Sequence, residues 1–287
     1  MTGTRAVRQD ALADLADVPA VSRWARNGAV RLHALDYGGD GVPVLVLPGI
    51  TSPAVTLDLV ARELTDRFRP VVLDVRGRGL SDSGDGWTLA DYAADAVAVL
   101  SGLDLRDPVL LGHSMGARIA AATAVALAGR GAAPRATVLV DPPLSGPGRA
   151  PYPTTLETFL DQLHQAQRGT DADEVARSWP RWPRREQELR ARWLSSCDET
   201  ALRATHAGFE SEDFFDVWPH VPGPVTLMYG DRSPVVPAEG AAELAAAHPG
   251  ATTAAVRGAG HMVFWDEPAE AVRVLRTALA GTAPGAP

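Results

Sequence analysis

The sequence predicts an α/β fold: a mostly parallel sheet, helices on both of its faces and a helical segment inserted late in the chain. Three observations predict it. Short unbroken apolar runs, each suited to a strand buried on both faces, alternate with helical patterns from residue 42 to residue 141. That alternation stops over Pro142–Pro219, a stretch rich in Pro, Trp, Arg and Glu, and resumes at Val225. Finally, the apolar run Val109–Leu111 leads through Gly112-His113-Ser114-Met115-Gly116 into an alanine-rich segment, so a strand feeds a helix through one tight turn with a serine at its apex.

Composition narrows the function. At 287 residues with 46% apolar side chains the chain can build a substantial core, as one large domain or two small ones. A net charge of −8 argues against a nucleic-acid binder, which needs a basic face. It also means that an anionic substrate would need a local cationic pocket. The single cysteine, Cys197, excludes an internal disulfide framework and a cysteine-rich zinc site. Residues 1–20 carry Asp10, Asp14 and Asp17 without an unbroken apolar core, unlike a signal peptide. No apolar run reaches the ~18 residues of a membrane span, so the expected location is cytoplasmic, with no membrane or nucleic-acid partner.

Taken in order, residues 1–24 read as a loosely held leader with at most a short helix. Ala29–Tyr37 alternates as a half-exposed strand and ends at Gly38-Gly39. Val42–Leu47 is a buried strand, followed by the turn Pro48–Pro53. Ser52 and Pro53 suit the cap and first position of a helix running to Asp66. Val71–Asp74 is a strand, and Thr88 caps a helix over Leu89–Leu100 with Asp91 in its first turn. The serine strand is followed by a helix over Met115–Ala128, then by a strand at Ala136–Val140 that ends in Asp141. Residues 142–219 read as a cap or lid, with helical pieces at Thr155–Gln167 and Arg185–Leu194. A strand at Val225–Tyr229, a helix at Glu239–Ala247, a strand at Thr252–Val256 and a helix at Pro268–Ala280 close the core. The core is thus expected over 25–141 and 220–280, and residues 281–287 as a disordered tail.

Ligands of such sheets bind beyond the carboxyl ends of the strands. Every candidate reactive residue sits at such an end. Ser114 needs a base, because a free hydroxyl is a weak nucleophile at neutral pH. Of seven histidines, His261 alone follows the last strand and precedes the last helix, at the sheet edge of Ser114. His113, next to the serine, is expected to point elsewhere in a structural role. A carboxylate must hold the imidazole tautomer, and Asp141 and Asp231 both follow strands between Ser114 and His261 in the chain. The oxyanion of a tetrahedral intermediate needs two backbone donors. Met115, directly after the serine, and Ile50, just past Gly49, are the candidates.

With these motifs assembled, the chain resembles the α/β-hydrolase superfamily over residues 25–280. The resemblance rests on the Gly112–Gly116 elbow, Leu47-Pro48-Gly49, Asp74-Val75-Arg76-Gly77-Arg78-Gly79-Leu80-Ser81, and Gly260-His261 with Glu267-Pro268 behind it. It implies the α/β-hydrolase fold with a Ser-His-Asp triad, and it departs from the usual pattern at one place. The superfamily commonly carries its acid as Gly-x-x-Asp after the strand matching Val225–Tyr229. Here that segment is Gly230-Asp231-Arg232-Ser233-Pro234, with Ser233 at the acid's usual place. A minority of members carry the acid one strand earlier, where Asp141 stands. Neighbouring strands lie about 4.8 Å apart, so a carboxylate there still reaches the histidine.

A finer resemblance is to the N-formylmaleamate deformylase group, amidohydrolases of nicotinate breakdown. It is carried by Asp91-Tyr92, by Val140-Asp141-Pro142-Pro143-Leu144-Ser145-Gly146-Pro147-Gly148 with Tyr152-Pro153, and by Trp179-Pro180-Arg181-Trp182-Pro183. That group places its acid after the earlier strand, which favours Asp141 over Asp231. The resemblance implies hydrolysis of a small formamide or amide acid through an acyl-enzyme, with no metal or organic cofactor. In the cap, Tyr152, Trp179, Trp182, Phe209 and Phe214 are candidate pocket walls, and Arg181 or Arg184 a candidate partner for a substrate carboxylate. A carboxylesterase or lactonase and a carbon–carbon hydrolase remain alternatives on the same fold, and a non-catalytic receptor is a third. Epoxide hydrolase and haloalkane dehalogenase chemistry is not expected, because those members place Asp where Ser114 stands.

Overall fold

The computed structural model describes Val7 and residues 11–282. Eight strands form one sheet: β1 (Val21–Asn27), β2 (Val30–Asp36), β3 (Val42–Leu47), β4 (Phe68–Leu73), β5 (Val109–His113), β6 (Ala136–Val140), β7 (Val225–Gly230) and β8 (Thr252–Val256). Their spatial order is β1-β2-β4-β3-β5-β6-β7-β8. β2 runs antiparallel to both neighbours, and the other pairings are parallel. The helices are α1 (Ala11–Asp17), α2 (Asp58–Arg62), α3 (Leu89–Gly102), α4 (Met115–Ala128), α5 (Leu156–Arg168), α6 (Ala172–Ser178), α7 (Arg184–Trp193), α8 (Glu199–Ser211), α9 (Ala238–Ala247), α10 (Val263–Asp266) and α11 (Pro268–Ala278). None is long and apolar enough to cross a membrane.

The alternation of side chains along β3 shows why the sheet is covered on both faces. Leu45 and Leu47 join a core cluster with Tyr92 and Val99 of α3, Ile119 of α4 and Leu244 of α9. Val44 and Val46 point the other way and pack with Val60 of α2 and Leu275 of α11. Helix α3 starts as its sequence suggests: Thr88 and Asp91 form a reciprocal capping box.

The structure departs from expectation at both ends of the sheet and in the insertion. Residues 11–24 are not a loose leader. Asp14 of α1 holds Arg192 at 2.7 Å and the Trp193 indole at 2.8 Å, and β1 pairs with β2 along its full length. The exposed, polar sequence of β1 hides it from a hydrophobic pattern. Asn27-Gly28 is its visible signal, with Gly28 at φ 57° opening a two-residue hairpin turn. Strand β4 begins at Phe68, ahead of the proline that interrupts its pattern at Pro70. The helix expected from Pro53 to Asp66 is a 3-10 turn (Ala54–Leu57) and the short α2, with no side-chain cap at Pro53. Helices α6 and α8, absent from the sequence reading, are capped by Asp171 and Asp198, whose carboxylates accept amides of the first turn. Gly281 and Thr282 are described, with Thr282 buried, whereas the rest of the expected tail lies outside the described residues.

Helices α5–α8 fill the chain between β6 and β7 and lie over the carboxyl ends of the strands. An ionic cluster built on the buried Asp58 fastens α7 to the core. Asp58 of α2 accepts hydrogen bonds from Tyr37 Oη at 2.7 Å, Arg62 at 2.6 Å and Arg185 at 2.7 Å, and Arg185 also reaches Glu186 at 3.1 Å. Burial pushes the Glu186 carboxyl up to about 7, against the pull of Arg185. The fold therefore favours its protonated form. That contribution is complete below the ordinary carboxyl range and is lost as pH rises through about 7. Glu186→Gln, which cannot ionise, should raise the melting temperature over wild type by several degrees at pH 8 and by little at pH 5. Thermal denaturation of both proteins across that range checks it.

Candidate active site

Strand β5 delivers Ser114 to the carboxyl edge of the sheet and α4 leaves from it. The backbone at Ser114 is forced to φ 56° and ψ −121°, a conformation that L residues rarely adopt. Tight packing holds it there. Ser114 N donates to Val140 O at 2.8 Å, and Ala117 N donates to Ser114 O at 2.9 Å. The flanking glycines are required by close approach. A Cβ on Gly116 would lie 1.8 Å from Leu47 O, and one on Gly112 would lie 2.0 Å from Gly116 O. Since the obstacle is backbone, Gly116→Ala should cost about 4 kcal/mol or more, or prevent soluble expression. Chemical denaturation of the purified variant measures it.

Three side chains expected from the sequence converge here. Ser114 Oγ lies 3.0 Å from His261 Nε2, and His261 Nδ1 lies 2.7 Å from Asp141 Oδ2. A carboxylate only accepts, so the proton sits on Nδ1 and Nε2 is left to accept from the serine. Asp141 is fully buried at φ 51° just past β6. Its Oδ1 accepts the Gly230 amide at 3.1 Å, and its Oδ2 also accepts the Ser233 hydroxyl at 2.6 Å. Ser233, just past the neighbouring strand β7, thus supports the carboxylate. Asp231 is exposed and accepts the Gly258 amide at 2.8 Å, shaping the turn ahead of His261 rather than touching its ring.

The loop after β3 faces the serine. Ile50 and Gly49 line a pocket with Ser114 and His261, and Met115 is the first residue of α4, where helix geometry offers its amide no intrahelical acceptor. The chain past Ile50 is pinned from below by the fully buried Arg78, whose Nε donates to Ile50 O at 3.0 Å. Asp74 ties the same region together, accepting the Ala54 amide at 2.6 Å, the Leu80 amide at 2.9 Å and His33 Nδ1 at 2.7 Å.

His113 supports the site more closely than the sequence suggested. Its Nε2 donates to His261 O at 2.9 Å, and the two rings lie 5.2 Å apart. Burial, helped by the neighbouring His261, pushes its pKa down to about 3, so it remains a neutral donor at working pH. Tyr152, expected to contact substrate, places its hydroxyl 3.2 Å from His261 Nε2, and burial holds that phenol protonated.

The pocket has a cavity volume of about 60 Å³. Trp179 and Trp182 stack at 4.7 Å and form part of its wall, with Trp265 behind Trp182 at 5.5 Å. Other expected cap residues stand elsewhere. Phe209 and Phe214 do not line the pocket; they cover the buried Arg118 guanidinium at 5.7 and 5.9 Å. Arg181 is 52% exposed and paired with Asp266 at 3.3 Å and Glu267 at 3.7 Å, so its charge is already matched outside the pocket. Arg184 pairs with Asp173 at 2.5 Å on the surface. The arginine that does line the pocket is Arg190 of α7, unnoticed in the sequence because its run of charges looks like a solvated helix face.

The sequence model of the family described as "Alpha/beta hydrolase family" matches residues 44–274. Among curated proteins, the N-formylmaleamate deformylase of Pseudomonas putida is 41% identical over 244 residues, 83% of this chain and 88% of that protein. The 2-(acetamidomethylene)succinate hydrolase of Mesorhizobium japonicum is 36% identical over 110 residues, 38% of this chain and 39% of that protein. Among solved structures, an N-formylmaleamic acid deformylase from Pseudomonas putida superposes with a TM-score of 0.82 at 37% identity, covering 89% of this chain and 99% of that one.

Proposed function

The chain is a hydrolase of the α/β-hydrolase family, and from that membership we propose that it is a serine amidohydrolase that removes a formyl or other small acyl group from the nitrogen of a small acid. The observation that carries this reading is the unbroken line from Asp141 through His261 to Ser114 at 2.7 and 3.0 Å, opening into a small pocket. The similarity to two hydrolases named for N-acylated acids supports the choice of an amide.

Ser114 Oγ attacks the acyl carbon while His261 Nε2 takes its proton, and Asp141 stabilises the imidazolium. The carbonyl oxygen becomes an oxyanion held by the Ile50 and Met115 amides. The C–N bond breaks as His261 returns the proton to the leaving nitrogen. Water, deprotonated by His261, then attacks the acyl-Ser114 ester, and His261 returns that proton to Ser114 Oγ as the C–O bond breaks and the carboxylic acid leaves. Helices α5–α8 act as the cap that walls the reacting group from bulk water. Neither step calls for a metal or an organic cofactor.

A panel of N-formyl amides, N-acetyl amides and esters of matched small acids tests the assignment. Formamides should show the highest kcat/KM. A clear preference for esters would leave the serine chemistry standing and remove the amide assignment.

A further inference from the structure

Acyl transfer at Ser114 leaves Arg190 without a task. This guanidinium belongs to α7, is 7% exposed and lines the same pocket as Ser114. Its partners are all neutral: Nη1 donates to Thr51 O and to Thr51 Oγ1, each at 2.8 Å, and Nη2 donates to Gln162 Oε1 at 3.0 Å. Among the described residues no carboxylate lies within ion-pair distance of it. Its neighbours on α7 differ: Arg184, Arg185 and Arg192 pair with Asp173, Asp58 and Asp14.

A buried charge without a counter-ion is costly, and burial has already pushed this guanidinium down to about 10. A guanidinium has five donors, so three hydrogen bonds leave it capacity for a planar anion. Gln162 adds to that capacity. Its Oε1 is committed to Arg190, which leaves its Nε2 donor for a ligand. Phe159, Trp179 and Trp182 line the same pocket.

We propose that Arg190 and Gln162 form the carboxylate subsite of this pocket, so that the substrate is a small acid with its carboxylate on Arg190 and its scissile acyl carbon at Ser114. The proposal rests on the amidohydrolase reading for the reacting end and deepens it at the other. It transfers to Arg190 the recognition that the sequence suggested for Arg181 or Arg184. The bonds to Thr51 hold the guanidinium in place beside the loop carrying Ile50.

The test must separate recognition from a strap that merely holds the loop. Arg190→Gln and Arg190→Lys are assayed on an N-formyl amide acid and on its neutral carboxamide counterpart. Recognition predicts that Arg190→Gln raises KM for the acid about 30-fold or more with kcat within about threefold, and leaves the neutral substrate almost unchanged. Arg190→Lys, which keeps the charge without the fork, should fall between and serves if the glutamine variant does not fold. Equal losses on both substrates would overturn the proposal. A second readout needs no turnover: quenching of pocket tryptophan fluorescence by maleate. Saturable quenching in wild type that is lost in Arg190→Gln supports the subsite, and quenching unchanged by the substitution overturns it. If wild type hydrolyses no amide, the amidohydrolase reading fails while the maleate titration still decides the subsite.

Discussion

Ser114→Ala is expected to lower kcat by about 10⁴-fold or more while leaving the protein folded. The size follows from what the hydroxyl does. Without Oγ no acyl-enzyme forms, and His261 is left to activate water against an acyl carbon positioned for another nucleophile. Folding should be spared because the Ser114 side chain makes no helix-capping bond and alanine suits the strained backbone no worse than serine. Steady-state kinetics beside a melting curve check both halves. A variant that keeps a tenth of wild-type kcat would remove Ser114 as the nucleophile.

Asp141→Asn should be nearly as damaging, with kcat down by about 10⁴-fold, whereas Asp231→Asn should stay within about threefold of wild type. The asparagine amide can donate where the carboxylate only accepts. It would draw His261 into the tautomer with its proton on Nε2, facing Ser114, which then has no base. Among the described residues Asp231 accepts only the Gly258 amide, which an asparagine oxygen can also accept. Kinetics of the two variants side by side make the comparison. A collapse in Asp231→Asn alone would place the acid on β7 and contradict the geometry at Asp141.

Much of this molecule is legible in its sequence, for reasons that particular residues make plain. Strands buried on both faces, such as Val42–Leu47 and Ala136–Val140, are continuous apolar runs and appear where expected. The edge strand β1 has a mostly exposed, charged sequence, so hydrophobicity carries no signal there and only Asn27-Gly28 does. Ser114 and His261 can be picked out because one follows β5 and the other follows the last strand at the same sheet edge. Topology left both Asp141 and Asp231 open, and only the resemblance to the deformylase group favoured Asp141. The cap resists the same treatment. Whether an arginine on α7 faces water or the pocket depends on how helices pack over the sheet, and local charge pattern contains no such information. Arg181 and Arg190 look equally exposed in sequence, yet the first is matched on the surface by Asp266 and the second is buried beside Thr51. Ser233 is a further case, because its support of Asp141 depends on β6 and β7 being neighbours.

The most direct test of the central claim, that Ser114 is the activated nucleophile of this fold, is labelling with a fluorophosphonate followed by peptide mapping. A single adduct on the peptide that carries Ser114, formed in wild type and Asp231→Asn but lost or strongly slowed in Asp141→Asn, is the predicted result. No adduct at all, or an adduct on a different residue, would contradict it.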